Sequence, residues 1–163
     1  MIVVSVVSAI ALTGLVVAAV VFGPAAYRAL VPEVAEGDLT ITLRGDGHTA
    51  EVPIPAGWSY RVPFNDDAGI DLLSPNGAME VALRVKGDVD PAHAIEEVYS
   101  DDLGAMSAES TEVGELLHAR AVSEDAVVGA LVAGSTTLTF VSSAAPEYDA
   151  ELAQLLAAIA VNP

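Results

Sequence analysis

The sequence predicts an α+β fold, in which an N-terminal transmembrane helix precedes a mainly antiparallel sheet with two flanking helices. Three observations support this prediction. The chain opens with a long uncharged apolar run, alternating apolar and polar residues fill most of the remaining chain, and helical spacing begins at Pro91 and again at Pro146. The order of strands, helix, strands and helix favours an antiparallel sheet over alternating βαβ units.

The apolar run is the first element. No charged residue precedes Arg28, and residues 2–22 are apolar apart from small or hydroxyl side chains. A helix rises about 1.5 Å per residue, so this run spans roughly the 30 Å of a bilayer core. We therefore expect a transmembrane anchor, or an uncleaved signal, at residues 1–26. A cleaved signal peptide is the alternative, although such peptides have shorter apolar cores behind a basic segment.

The position of Arg28 bears on membrane orientation. Positive charge beside a membrane helix favours the cytoplasmic side, and Arg28 follows the apolar run directly. Long domains are translocated largely regardless of such charge, and acidic residues count little against export. We expect a single-pass protein of the cell membrane whose domain lies outside the cytoplasm.

Strands dominate the first half of the domain, which is expected at 38–163 after a linker at 27–37. Two alternating runs surround the turn residues Asp46 and Gly47, the pattern of a β-hairpin. Further strands are predicted at 58–62, 70–73 and 79–85, and the last of these alternates most regularly.

A helix then begins at Asp90, a capping residue, with Pro91 in its first turn. Its apolar positions continue to Leu103, and Gly104 is expected to end it. After a polar stretch, strands are predicted at 115–122, 126–133 and 136–141. Pro146 opens a final helix whose apolar face ends with Ile159.

Two turn motifs and one helix occur in a recognisable order. The motif I-P-A-G-W occupies residues 54–58, S-P-N-G occupies 74–77, and the amphipathic helix at 91–103 comes after them. Residues 38–163 thereby resemble the Mog1/PsbP-like α/β/α sandwich, found in small exported or membrane-anchored proteins of high-GC bacteria. The resemblance implies a mostly non-enzymatic binding or assembly role. It assigns no functional residue, because both motifs form turns.

Charge excludes one class of partner. The chain has 6 basic and 23 acidic residues, a net charge of −17. Binding of nucleic acid depends on basic side chains that neutralise phosphates, so we expect no nucleic-acid partner. A basic protein partner or cations are expected instead, unless the charge serves only solubility. The chain has no cysteine, which removes disulfides and thiolate chemistry.

The predicted helix carries the candidate metal ligands Asp90, His93, Glu96 and Glu97, whose spacing can bring imidazole and carboxylates to one ion. The helical wheel places His93 and Glu97 opposite the apolar positions. We therefore favour a solvated helix face over a metal site. Aspartate pairs elsewhere offer weak calcium sites, with turn and cap preferences as the alternative.

Catalytic signatures are absent from the sequence. It contains neither a Gly-x-Ser-x-Gly elbow nor His-Glu-x-x-His, and no phosphate-binding loop. His48 falls at the hairpin turn, and His118 is expected at an exposed strand position. Trp58, the single tryptophan, is expected to anchor the core rather than stack on a ligand. No enzyme activity and no cofactor are expected.

The sequence thus predicts a membrane-anchored, extracytoplasmic interaction or assembly module without catalytic activity. A divalent-cation or small-ligand binding protein of the cell envelope is the alternative. The partner is expected to be a protein, with the membrane contacted through the N-terminal helix.

Overall fold

The computed structural model describes residues 31–63, 66–99, 103–112, 114–122 and 126–162. The predicted anchor at 1–26 and the first residues of the predicted linker lie outside these ranges. Within them, none of the helices is long and apolar enough to cross a membrane.

The described chain contains eleven strands and two α-helices. The strands are β1 (Glu33–Val34), β2 (Leu39–Gly45), β3 (His48–Ile54), β4 (Ser59–Arg61), β5 (Gly69–Leu73), β6 (Met79–Gly87), β7 (Ser107–Thr111), β8 (Gly114–Arg120), β9 (Ala126–Ala133), β10 (Thr136–Ala144) and β11 (Ala160–Asn162). The helices are α1 (Pro91–Val98) and α2 (Asp149–Ala157), and a 3₁₀ turn (Pro146–Tyr148) leads into α2.

The strands form two antiparallel sheets. The large sheet has eight strands in the order β1-β4-β5-β6-β10-β9-β8-β7, and the small sheet has three in the order β11-β3-β2. Helix α1 packs mainly against β9 and β10 on one face of the large sheet. The small sheet and α2 cover the other face and form the main core with it.

The predicted fold class is wrong. Instead of an α+β fold with a transmembrane helix, the described chain is mainly antiparallel β with two short helices, of eight and nine residues. Helix α1 ends early because Tyr99 is extended, at φ −145° and ψ 115°. Leu103, expected on the helix, instead forms a β-bridge with Ala121. Leu103 therefore pairs as a strand residue does, whereas the spacing of apolar residues predicted that it would continue the helix.

Individual strand predictions are confirmed. In the hairpin, Gly45 pairs with His48, and Asp46 and Gly47 have φ angles of 53° and 83°. Positive φ at both turn residues is the geometry whose twist matches the flanking strands. Strand β6 alternates between buried and exposed residues, as its sequence predicts.

Trp58 and the predicted linker meet at one corner of the fold. Trp58 is 5% exposed and belongs to the main core, as expected. Its carbonyl accepts a hydrogen bond from the Ala35 N–H at 2.8 Å, and the Gly57 N–H donates to the Ala35 carbonyl at 2.8 Å. Strand β1 pairs with β4 beside it. The described part of the predicted linker therefore joins the large sheet.

Candidate functional site

The predicted metal ligands lie on the exposed side of α1. Asp90 caps the helix, because its Oδ1 accepts the His93 N–H at 3.1 Å. The His93 ring, 63% exposed, stands 3.9 Å from Glu96 and 3.5 Å from Glu97. Glu97 also accepts a hydrogen bond from Lys86. That hydrogen bond, then the charges of Lys86 and His93, lowers the pKa of Glu97 below its usual 4.5.

The structure thus brings His93, Glu96 and Glu97 together, with Asp90 engaged at the helix cap. Within the described ranges, no three histidine or carboxylate side chains are arranged to hold a metal ion. The contacts present are those of a helix face in water: a cap, an ion pair and two long histidine–carboxylate approaches. A metal-binding role for these residues stays a prediction.

His48 joins the two sheets. Its Nδ1 lies 2.9 Å from the Thr136 hydroxyl, and that hydroxyl donates to the Asn162 carbonyl at 2.5 Å. Its Nε2 is 3.7 Å from the Asp88 carboxylate. The ring also packs on Gly87, where an added Cβ would come within 2.0 Å of it. These contacts link the ends of β3, β6, β10 and β11. They give His48 a structural role that needs no ligand or catalytic function.

A cleft of about 420 Å³ opens between the β7–β8 hairpin and α2, on the face opposite α1. We call it the edge cleft. Its lining combines an apolar floor with a few charged and polar side chains. It is lined by Ala105, Ser107, Glu109, Leu116, His118, Ala119, Arg120, Val127, Phe140, Asp149, Leu152, Ala153 and Leu156.

Gly129 shapes the floor of the edge cleft. It pairs with Phe140 on one side and His118 on the other. A Cβ at this position would stand 2.6 Å from the Phe140 ring and 2.4 Å from the Leu117 carbonyl. Because glycine has no side chain, the phenylalanine ring can lie over β9. The Phe140 ring thereby forms part of the apolar floor of the edge cleft.

Two polar atoms of the edge cleft lack partners among the described residues. Arg120 Nη2 donates to Asp149 Oδ1 at 2.6 Å. Arg120 Nη1 and His118 Nδ1 are buried and make no hydrogen bond to any part of the chain that is described. A buried polar atom without a partner costs about 1–3 kcal/mol, more if charged. A ligand atom that accepts a hydrogen bond from Arg120 Nη1 would remove this cost, and the bound state would be stabilised.

The sequence interpretation missed this site. His118 was expected at an exposed strand position, whereas it is half-buried, and Arg120 was not singled out. A signal was present in the sequence. Side chains two residues apart share one face of a strand, so Leu116, His118 and Arg120 had to line one side of β8. The sequence did not predict that this face of β8 lies opposite helix α2.

These features define a small two-sheet β domain whose large sheet has, at one end, a cleft with an apolar floor and a few polar side chains. No family model and no curated protein matches this chain. Among solved structures it is similar to the solution structure of cyanobacterial PsbP (CyanoP) from Synechocystis sp. PCC 6803. The two are 12% identical with a TM-score of 0.50, over 69% of this chain and 86% of that chain. The chain has a PsbP-like fold, as the resemblance in sequence predicted.

Proposed function

We propose that this chain is a non-catalytic interaction module that binds a protein partner along strand β7. The observation that carries the proposal is the state of this strand. It ends the large sheet, residues 107–110 are exposed, and within the described ranges it pairs with β8 alone. An edge strand of this kind presents free N–H and C=O groups to which another chain can add a strand.

The other sheet edges are less suitable. Strand β1 has two residues, too few for a stable added strand. Strand β2 is partly covered, because the Arg44 N–H donates to the Asp67 carbonyl at 2.8 Å. The five residues of β7 offer the longest exposed edge of the large sheet. The PsbP-like fold supports the proposal, since the family resemblance implies binding or assembly rather than catalysis.

Charge suggests the chemistry of the partner. Glu109, Glu112 and Glu115 are all exposed on the β7–β8 hairpin, in a chain with a net charge of −17. Such a surface attracts basic segments and speeds their association at low salt. We propose a partner segment that is extended and basic.

Site-directed crosslinking tests this proposal, because the chain has no cysteine of its own. We would attach a photocrosslinker to Ala108→Cys on β7 and, as a matched control, to Asp46→Cys in the distant hairpin turn. The expected result is a discrete protein adduct from position 108 alone. Its yield should fall at high salt and in a second variant, Glu112→Lys, but not in Asp46→Lys. Equal adducts from both positions, or none, would refute partner binding at β7.

We also propose that the domain acts outside the cytoplasm, at the cell membrane. The support is the uncharged N-terminal sequence before Arg28. Asp46→Cys tests the location in intact cells with a membrane-impermeant maleimide. Labelling before lysis is expected, and labelling only after lysis would place the domain in the cytoplasm.

A second candidate function is the binding of a small ligand, which the edge cleft favours. For divalent cations the candidates are still Asp90, His93, Glu96 and Glu97. Millimolar calcium, zinc or manganese should then raise the melting temperature of the protein. An unchanged melting temperature with all three ions would end the metal hypothesis.

A further inference from the structure

We infer that the edge cleft binds a carboxylate joined to a small apolar body, with Arg120 as the residue that recognises the carboxylate. The inference rests on the second candidate function and names its ligand class, and it does not depend on partner binding at the backbone edge of β7.

The argument begins with the donors of Arg120. A guanidinium has five N–H donors in a fixed fork and accepts no hydrogen bond. Asp149 takes one bond from Nη2, while Nη1 is buried and lacks a partner in the described structure. The Arg120 side chain is 35% exposed and that of Asp149 is 53% exposed. The pair therefore lies at the mouth of the cleft, where a change of rotamer can turn Nη1 toward an incoming acceptor.

The unpartnered donor of Arg120 favours a monocarboxylate. Among the described residues that line the edge cleft, Arg120 is the single permanent cation, and Glu109 and Asp149 are the anions. A cationic ligand would leave the unpartnered Nη1 donor unsatisfied. Glu109 and Asp149 repel a ligand more strongly the more negative charge it carries, so a phosphate is disfavoured relative to a carboxylate. A monocarboxylate adds one negative charge and can accept two parallel hydrogen bonds from a guanidinium.

The floor of the edge cleft selects an apolar body. Phe140, Leu152 and Leu156 form it, together with Val127. A volume of about 420 Å³ falls within the usual range for small-ligand sites, about 300–1,000 Å³. Apolar floors with a few placed polar groups are the common design of such sites. His118 on β8 offers a second polar atom, Nδ1, without a partner in the described chain.

Two sources can present this chemistry: a free small carboxylic acid, or the C-terminal carboxylate of a peptide. Calorimetric titration of the full-length protein in mild detergent separates them. The probes are hexanoate with hexanamide as control, and the tripeptide glycyl-alanyl-leucine with its C-terminal amide as control. In at least one pair, the carboxylate should bind at least about tenfold more tightly than its amide, a difference of about 1.4 kcal/mol. Whichever acid binds more tightly identifies the source.

Substitutions test the residues. Arg120→Gln should weaken binding of the better carboxylate at least about tenfold, whereas Arg44→Gln on the exposed part of β2 should leave it unchanged. Ala153→Phe is a second variant that fills the cleft from an exposed position of α2 without removing a core contact, and it should abolish binding. The inference is overturned if neither carboxylate binds, if amides bind equally well, or if a folded Arg120→Gln protein binds normally.

Discussion

The two ends of the large sheet carry an arginine–aspartate pair each, and the pairs differ in how completely they are satisfied. Arg61 on β4 donates from both Nε and Nη2 to Asp71, at 3.0 and 2.5 Å, and these hydrogen bonds raise its pKa. Arg120 on β8 donates from Nη2 to Asp149 and keeps Nη1 buried without a partner in the described chain. The first arginine is satisfied by the fold, whereas the second retains binding capacity.

The surroundings of Arg120 also differ from those of the centre of the sheet. Strands β9 and β10 lie near its centre and have packed residues on both faces. At the β7–β8 end, helix α2 approaches the sheet but leaves the edge cleft open. Polar groups in a buried layer such as the centre of the sheet are usually paired within the chain. The Ser142 hydroxyl on β10 is an exception, because it is buried without a partner among the described residues. At the β7–β8 end, the opening of the cleft lets a ligand approach the unpartnered groups.

The largest effect should come from a pair of leucines directly across β8 and β9 from each other. Leu131 is 1% exposed, and its cross-strand partner Leu116 is half-buried beside the edge cleft. Leu131→Ala should destabilise the protein by about 2–5 kcal/mol, because a cavity opens in packed surroundings. Leu116→Ala should cost less than half as much. Urea denaturation of both variants measures the difference, and equal losses would contradict the contrast between centre and edge.

A smaller effect is expected where the centre meets the edge cleft. Gly129→Ala should destabilise the fold by about 1–3 kcal/mol, because the new methyl group collides with the Leu117 carbonyl and the Phe140 ring. Gly37→Ala is the matched control, with open space around its Cβ position. Thermal unfolding compares the two. A Gly129→Ala protein as stable as the control would mean that the close approach on β9 is dispensable.

The two arginines themselves should respond in different ways to the same substitution. Arg61→Met removes a satisfied surface pair and should cost about 0.2–1 kcal/mol. Arg120→Met also removes an ion pair, with Asp149, but at the same time it removes the buried Nη1 donor that lacks a partner among the described residues, and Asp149 becomes hydrated. It should therefore cost less than Arg61→Met or even stabilise the fold. Binding of a carboxylate probe should be lost at the same time. Greater destabilisation by Arg120→Met than by Arg61→Met would show that Arg120 is a structural residue.

The smallest effect concerns Glu97, beyond both arginine pairs. Its pKa is lowered by the hydrogen bond from Lys86, so its ionised form stabilises the folded state. This stabilisation is fully present above the usual pKa of 4.5 and is lost as the pH falls through the lowered value. Glu97→Gln should therefore melt at a slightly lower temperature than the parent protein at pH 7, and this difference should close as the pH falls well below 4.5. A gap that persists in acid would exclude the Lys86 pair as its cause.

Several elements could be predicted because their pattern is local. In strand β6, apolar and polar residues alternate with a period of two, so the sequence of the strand itself predicts which of its faces is buried. Strand β9 was predicted with its observed ends, although it is buried almost throughout. Its Gly129 gave no sign of the Phe140 ring that lies over it. Strands β1, β7 and β11 were missed, since each is short or polar and exists only through its pairing.

The sequence by itself determined the hairpin turn at Asp46 and Gly47, the start of α1 at Pro91 and the acidic charge of the chain. These depend on local backbone preferences and on composition. Only the tertiary structure decided where α1 ends, which strand edges are free, and that Arg120 meets Asp149 across the cleft. Those features require segments far apart in the chain to be in contact, and no local pattern of residues specifies such a contact.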